Sequence, residues 1–328
     1  MLLIFFSMTF LLNGCAPRGG FEESSEEELT KVTVVLDWVP NTNHTGLYVA
    51  KGKGYFSEAG LDVDIVQPTE GGTAQLIAAG QGDFGISYQE EVVIARTMDM
   101  PVVAVAAIIQ HNTSGFASPV EKGITSPADF PGKKYGGWGS ESETAMLAAV
   151  MERYGASIDD LEIINIGSAD FFSSVERDID FAWIYYGWAG IEAELRGIEL
   201  NFILLQDVEP ALDFYTPVII VNEELIAEDP QLISAFLQGA TRGYSDAIEN
   251  PREAAEIFLK HVPELDEELV YASQEYLAEQ YQADAPRWGE MKKEIWETYS
   301  MWMYDRGLLE RQINPEEAFT NEFLPGEQ

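Results

Sequence analysis

The sequence is poor in cysteine, histidine and positive charge. Cys15 is the single cysteine among 328 residues, which excludes an intrachain disulfide and a thiolate-rich metal site. The three histidines, His44, His111 and His261, lie far apart with neither HxH nor HxxxH spacing, so no metal centre is expected. Only 19 Lys and Arg stand against 56 Asp and Glu, a formal net charge of −37. Such a surface repels a phosphate backbone, and no basic stripe is present to release counterions, so nucleic acid is excluded as a partner. No GxSxG, GxGxxG or Walker pattern follows a strand-like run, and no nucleophile or nucleotide-binding motif is present.

Long apolar runs are also scarce. The one at the start, MLLIFFSMTFLLNG, is too short to span a bilayer and stops at Cys15. Leu12-Asn13-Gly14-Cys15 puts an aliphatic residue three positions before the cysteine and a small residue directly before it, as a lipoprotein signal does. The expectation is a signal peptide over 1–14, although without the usual Lys or Arg, and lipid on Cys15. Several acyl chains at about 0.8 kcal/mol per buried CH₂ would hold the protein on the outer face of the cell membrane. Residues 15–30 read as an acidic tether, too polar to bury enough apolar area to offset their ordering entropy.

From Lys31 onward, strand-length apolar runs alternate with helical periods, the pattern of parallel βαβ units. A change to small and polar residues over 111–120 marks a crossover into a fresh α/β series. The predicted organisation is a discontinuous first lobe, 31–118 and 221–328, and a second lobe, 119–220. Four C-terminal helices are expected, the last over Arg287 to Asp305. Two lobes joined by two crossings make a hinge, and ligands of open α/β sheets sit beyond the carboxyl ends of the strands. The residues just after the strands are therefore the candidates.

Aromatics stand there where turns usually carry small polar groups. Trp38, Tyr88, Tyr186 and Trp188 suit a flat ligand, and stacking adds about 0.5–1.5 kcal/mol per ring pair beyond area burial; packing into the core is the competing reading, Tyr185 included. Glu90 and Glu91 open a helix, where a carboxylate either complements the dipole or accepts from a ligand amino group. Glu192 has the same alternatives, with Arg196 one turn on as its helix-face partner. Asn41, His44 and Asn222 stand at helix starts, where capping and ligand binding are both open. The candidate loops contain no Arg for an anionic ligand.

The run LDWVPNTNHTGLYVAKGKGYFSEAGLDVDIVQPTEGGTAQLIAAGQGDFGISYQEEV, with the later segment FAWIYYGWAGIEAEL, resembles the family of thiamine-precursor-binding proteins and yeast-type pyrimidine synthases. The likeness covers about residues 31 to 245. It implies a type-II periplasmic-binding-protein fold, with an α/β lobe on each side of a ligand cleft. It further implies a monomeric binding protein without cofactor that works with an ABC permease and ATPase. The implied ligand is N-formyl-4-amino-5-aminomethyl-2-methylpyrimidine, with riboflavin as the competing heteroaromatic. The family also contains an enzyme that builds the pyrimidine from its own histidine and pyridoxal phosphate, using iron near a cysteine-rich motif. His44 falls at that histidine's position, but the chain lacks the cysteine cluster, and His44 is expected to be a pocket residue.

Overall fold

The structure is a computed structural model that describes residues 28–68, 72–167 and 169–326. The signal-like segment, Cys15 and the tether up to residue 27 lie outside the described residues. Among the described residues no helix is long and apolar enough to cross a membrane.

The chain first lays down β1 (Thr30–Val35), β2 (Leu61–Val66), β3 (Phe84–Ser87) and β4 (Val102–Ala107). It then forms β5 (Ser114–Pro119), β6 (Lys134–Gly137), β7 (Glu162–Asn165), β8 (Phe181–Tyr185) and β9 (Leu200–Leu204). Finally β10 (Val218–Asn222) returns. Two five-stranded sheets result, in the orders β2-β1-β3-β10-β4 and β7-β6-β8-β5-β9. The continuous apolar sequence of β4, VVAVAA, is buried at every residue, as expected of a strand covered on both faces.

Strand direction decides which ends meet. β1 runs parallel to β2 and β3, and β6 parallel to β7 and β8, whereas β10 is antiparallel to β3 and β4, and β5 to β8 and β9. Each antiparallel strand is the one that enters a lobe from the hinge. It therefore starts at the cleft edge and ends at the far edge, while its neighbours end at the cleft.

Sheet membership places the crossings earlier than the composition change suggests. Ser114–Pro119 pairs with β8 and β9 in the second sheet, and Val218–Asn222 pairs with β3 and β4 in the first. The connecting stretches are thus 108–113 and 205–217. His111 pins the two together: its Nδ1 lies 2.7 Å from Asp213, and its Nε2 lies 3.0 Å from Asp284 of the C-terminal segment.

On the first lobe, helix Thr45–Gly52 packs against helices Pro230–Glu249 and Pro251–His261. Glycine at position 243 permits the first of these contacts, because a Cβ there would lie 2.0 Å from the Gly46 carbonyl oxygen. The last helix starts at Lys293, not Arg287. The residues before it form turns instead, with Gly289 at a φ of 87°, and are pinned to the first sheet by the Ala107 N–H donating to the Gly289 carbonyl (2.9 Å) and the Trp288 indole to the Ile108 carbonyl (3.3 Å).

Candidate functional site

The loop after β1 is folded around His44. The His44 Nδ1 accepts from the Asn41 N–H at 3.2 Å, so the ring hydrogen sits on Nε2 and is donated to Asp37 at 2.7 Å. Asn41 is spent locally, its Oδ1 accepting from the Asn43 N–H (2.9 Å) and its Nδ2 donating to the Val39 carbonyl (3.1 Å). His44 is fully buried. Both candidates therefore shape the loop, because all their polar atoms near the cleft are already paired. What they present is Asp37. Burial acts to raise the Asp37 pKa, but His44, the Asp37 backbone N–H and the Tyr88 hydroxyl outweigh it and hold the carboxylate below its usual range.

Glu90 lies two residues beyond Tyr88, in the first turn of helix Gln89–Thr97. Burial raises its pKa; the Ser142 hydroxyl opposes this, while Glu91 and Glu143 add to it. Ser142 belongs to helix Glu141–Arg153 of the second lobe, so Glu90 faces across the cleft. Its neighbour Glu91 is structural, accepting from Ser87 Oγ and the Ala74 N–H at the start of helix Thr73–Ala78. Glu143 is likewise committed to Tyr135 (2.7 Å) and the Gly139 N–H (3.1 Å).

Tyr185, at the end of β8, closes this group. Its hydroxyl lies 3.5 Å from Thr216 Oγ1 in the second crossing. Burial drives its pKa upward, and the charges of Glu90 and Asp37 push the same way. Tyr88 is shifted upward too, by burial first and then by Asp37 and Tyr185. Asp37, Tyr88, Glu90, Ser142 and Tyr185 thus form one electrostatic neighbourhood drawn from both lobes. Trp38, 48% exposed, follows β1, and Trp138, 44% exposed, follows β6 on the opposite lobe with one side against Trp183 at a centroid distance of 5.3 Å.

Residues 36–44, 88–91, 138–142, 185–190 and 214–217, which border this neighbourhood, include no Lys or Arg. A separate surface hollow of about 240 Å³ holds Arg96 and Arg311. Both are already paired, Arg96 with Glu223 (2.6 Å) and Arg311 with the Thr97 carbonyl (3.0 Å).

The sequence matches the family model described as NMT1/THI5 like over residues 41–254. The chain belongs to the NMT1/THI5-like family. It is 30% identical over 307 residues to a formylaminopyrimidine-binding protein of Halalkalibacterium halodurans, covering 91% of this chain and 92% of that protein. It is 28% identical over 328 residues to the riboflavin-binding protein RibY of Chloroflexus aurantiacus, covering 95% and 91%. Among solved structures, the alkanesulfonate-binding protein SsuA from Xanthomonas axonopodis pv. citri, bound to MOPS, superposes with a TM-score of 0.68 at 14% identity, covering 89% of this chain and 99% of that one. The two sheets and this likeness establish the type-II periplasmic-binding-protein fold.

In this NMT1/THI5-like chain several expected site residues are used elsewhere. Residues Tyr186–Gly190 form a π-helical turn that swings Tyr186 onto Phe202 and Tyr276, at ring centroid distances of 5.0 and 5.4 Å, with its hydroxyl donating to Glu194. Trp188 packs among Tyr48, Phe258, Val262 and Val270 of the first lobe. Glu192 accepts from Arg196 on the helix face. Asn222 ends the antiparallel strand β10, so it lies at the far edge, where it accepts from the Glu224 N–H (2.9 Å) and donates to the Ile77 and Ala78 carbonyls. Asp37, Trp138 and Ser142 lie just after β1 and β6, the same positional signal that selected Trp38.

Proposed function

We propose that this chain is the solute-binding component of an ABC importer, held on the outer face of the cell membrane through lipidated Cys15, and that its ligand is N-formyl-4-amino-5-aminomethyl-2-methylpyrimidine. It delivers this ligand to a permease driven by an ATPase. The observation carrying the reading is Glu90, a half-buried carboxylate facing Ser142 across the cleft, with Tyr88 and Tyr185 nearby and no Lys or Arg in the bordering loops. A carboxylate accepts hydrogen bonds from a ring-bound amino group, flat rings stack on its face, and an anionic ligand finds no partner. The formylaminopyrimidine-binding relative supports the same choice. His44 supports a binding role over a self-consuming synthase, being buried with both nitrogens engaged.

Calorimetric titration of formylaminopyrimidine, hydroxymethylpyrimidine, thiamine and riboflavin tests the assignment. The formylaminopyrimidine should bind tightest, and Glu90→Gln should weaken it about tenfold, because an amide turns a donor towards the amino group. Riboflavin binding best would replace the assigned ligand by the one that RibY is named for. The anchor has its own test: Cys15→Ser should move the protein from the membrane to a soluble fraction, and retention at high salt would refute lipidation.

A further inference from the structure

The change of lobe falls within one residue or two of each crossing, and the residues at the change are bonded to each other. On the first crossing, the Gln110 N–H donates to the Gln280 carbonyl of the first lobe (3.2 Å). Two residues on, the allegiance is reversed: the Asn112 carbonyl accepts from Gln206 Nε2 (3.1 Å) and the Thr113 carbonyl from the Tyr186 N–H (3.1 Å), both on the second-lobe side. On the second crossing, Tyr215 is held by the first lobe, its N–H donating to Gln89 Oε1 (2.9 Å) and its hydroxyl accepting from the Lys292 N–H (2.7 Å). The Leu212 carbonyl instead accepts from Asn112 Nδ2 (2.8 Å). His111 and Asp213 lie between these anchors, one on each crossing. They are the pivot.

His111 faces a carboxylate on each side, Asp213 Oδ2 at 2.7 Å from Nδ1 and Asp284 Oδ1 at 3.0 Å from Nε2. A carboxylate only accepts, so both contacts are hydrogen bonds only when both ring nitrogens carry hydrogen, which is the imidazolium. The neutral ring has one hydrogen to give. Asp213 has the stronger claim on it, being shorter in contact, less exposed and oriented by the Asn112 N–H at 2.9 Å. Asp284 has Lys292 at 3.2 Å as another partner, so loss of the proton releases the pivot from the C-terminal segment. Of the neighbouring groups, Glu290 is paired with Arg287 (2.8 Å), and burial pushes the Tyr215 hydroxyl up to about 12, so it stays neutral. The hydrogen bond to Asp213 raises the His111 pKa, burial opposes it, and the charge of Asp213 and the contact with Asp284 add to the rise.

We propose that His111 is a protonation-operated pin at the pivot of the hinge: the imidazolium holds both crossings against the C-terminal segment, and its deprotonation frees them, so that the lobes part more readily and ligand is held less tightly as the pH rises. This rests on the binding-protein reading above and adds regulation to it. The pinned pivot coincides with docked lobes, since Trp188 of the second lobe lies in the first-lobe cluster of Tyr48 and Phe258. The direction follows from the pair. A histidine whose folded pKa exceeds its unfolded value, about 6.5, gives its full stabilisation below that value and loses it as the pH rises through the folded one.

The experiment measures lobe separation by electron–electron double resonance, with spin labels at the exposed positions Met98 of the first lobe and Leu195 of the second in the full chain carrying Cys15→Ser. Without ligand, the ratio of open to docked molecules should rise about two- to fivefold between about pH 6 and about pH 8.5, the range of one partly exposed ion pair. His111→Gln, uncharged at both values, should be shifted towards open at both. His111→Arg, whose guanidinium keeps its charge and several N–H donors, should stay docked at both. Calorimetry with N-formyl-4-amino-5-aminomethyl-2-methylpyrimidine should show the wild-type dissociation constant rising by the same factor and that of His111→Arg unchanged. A wild-type ratio that does not change with pH overturns the proposal, as does the same pH dependence in both variants, which would assign it to His44 or His261. If the wild type fails to bind the pyrimidine while its lobes respond as expected, the assigned ligand falls and the pin stands.

Discussion

Trp188→Ala is expected to open the clamp: without ligand, the variant should show a larger radius of gyration by small-angle scattering than wild type and lose about 2–4 kcal/mol of stability. Trp188 leaves the second lobe and enters a first-lobe cluster of Tyr48, Phe258, Val262 and Val270. Truncation therefore removes a contact between lobes, not one within a lobe. The turn that carries it has no slack. A Cβ on Gly187 would lie 2.8 Å from Leu277, and the Gly187 carbonyl accepts from Ser273 Oγ on helix Glu267–Ala278. Since the Ser273 hydrogen is used there, Thr42 Oγ1 must be the donor in the 2.5 Å Thr42–Ser273 contact. Thr42 follows Asn41 in the loop that presents Asp37 and Trp38. A single chain of bonds thus ties a cleft loop of one lobe to the docked turn of the other. Ligand affinity should fall with the population of the docked arrangement, because the apparent dissociation constant scales inversely with that fraction. An unchanged radius and melting temperature would show that Trp188 does not hold the lobes together.

The expectation for Trp188 and Tyr186 shows where sequence reasoning ran out. Their positions after a strand were read correctly, and β8 itself occupies the predicted residues Phe181–Tyr185. What no periodicity encodes is the π-helical turn, which sets Tyr186 between Phe202 and Tyr276 and Trp188 against the first-lobe cluster. Asn222 failed for a related reason. The β-branched run of β10 was legible, but its antiparallel direction depends on pairing with β3 and β4, and direction decides which edge a strand's end reaches. Glu90 was singled out as a carboxylate directly beyond a short strand, and β3 does end just before it, at Ser87. The crossings were misplaced by a few residues for want of any signal in β5, whose sequence SGFASP is small and polar yet buried throughout.

His44→Ala should cost about 3–5 kcal/mol at neutral pH, since it leaves the Asp37 carboxylate buried without its strongest donor and removes the acceptor of the Asn41 N–H. The Asp37 side chain is only 6% exposed, so water cannot take over His44's role without the loop opening. The sign of the pH dependence follows from the depressed Asp37 pKa. A carboxylate whose folded value lies below its unfolded value, about 3.9, contributes stability that is present above that value and lost as the pH falls through the folded one. The difference between wild type and His44→Ala should accordingly be full at pH 7 and shrink below about pH 4, where a protonated Asp37 no longer needs the donor. Urea melts of the two proteins across this range measure it. His44→Gln, which restores a side-chain N–H, should recover part of the loss, and the same variants should bind ligand less well because Asp37 and its Tyr88 contact lose their fixed orientation. A His44→Ala protein that melts like wild type at pH 7 would mean that the histidine does not organise this loop, and its conformation would then need a different cause.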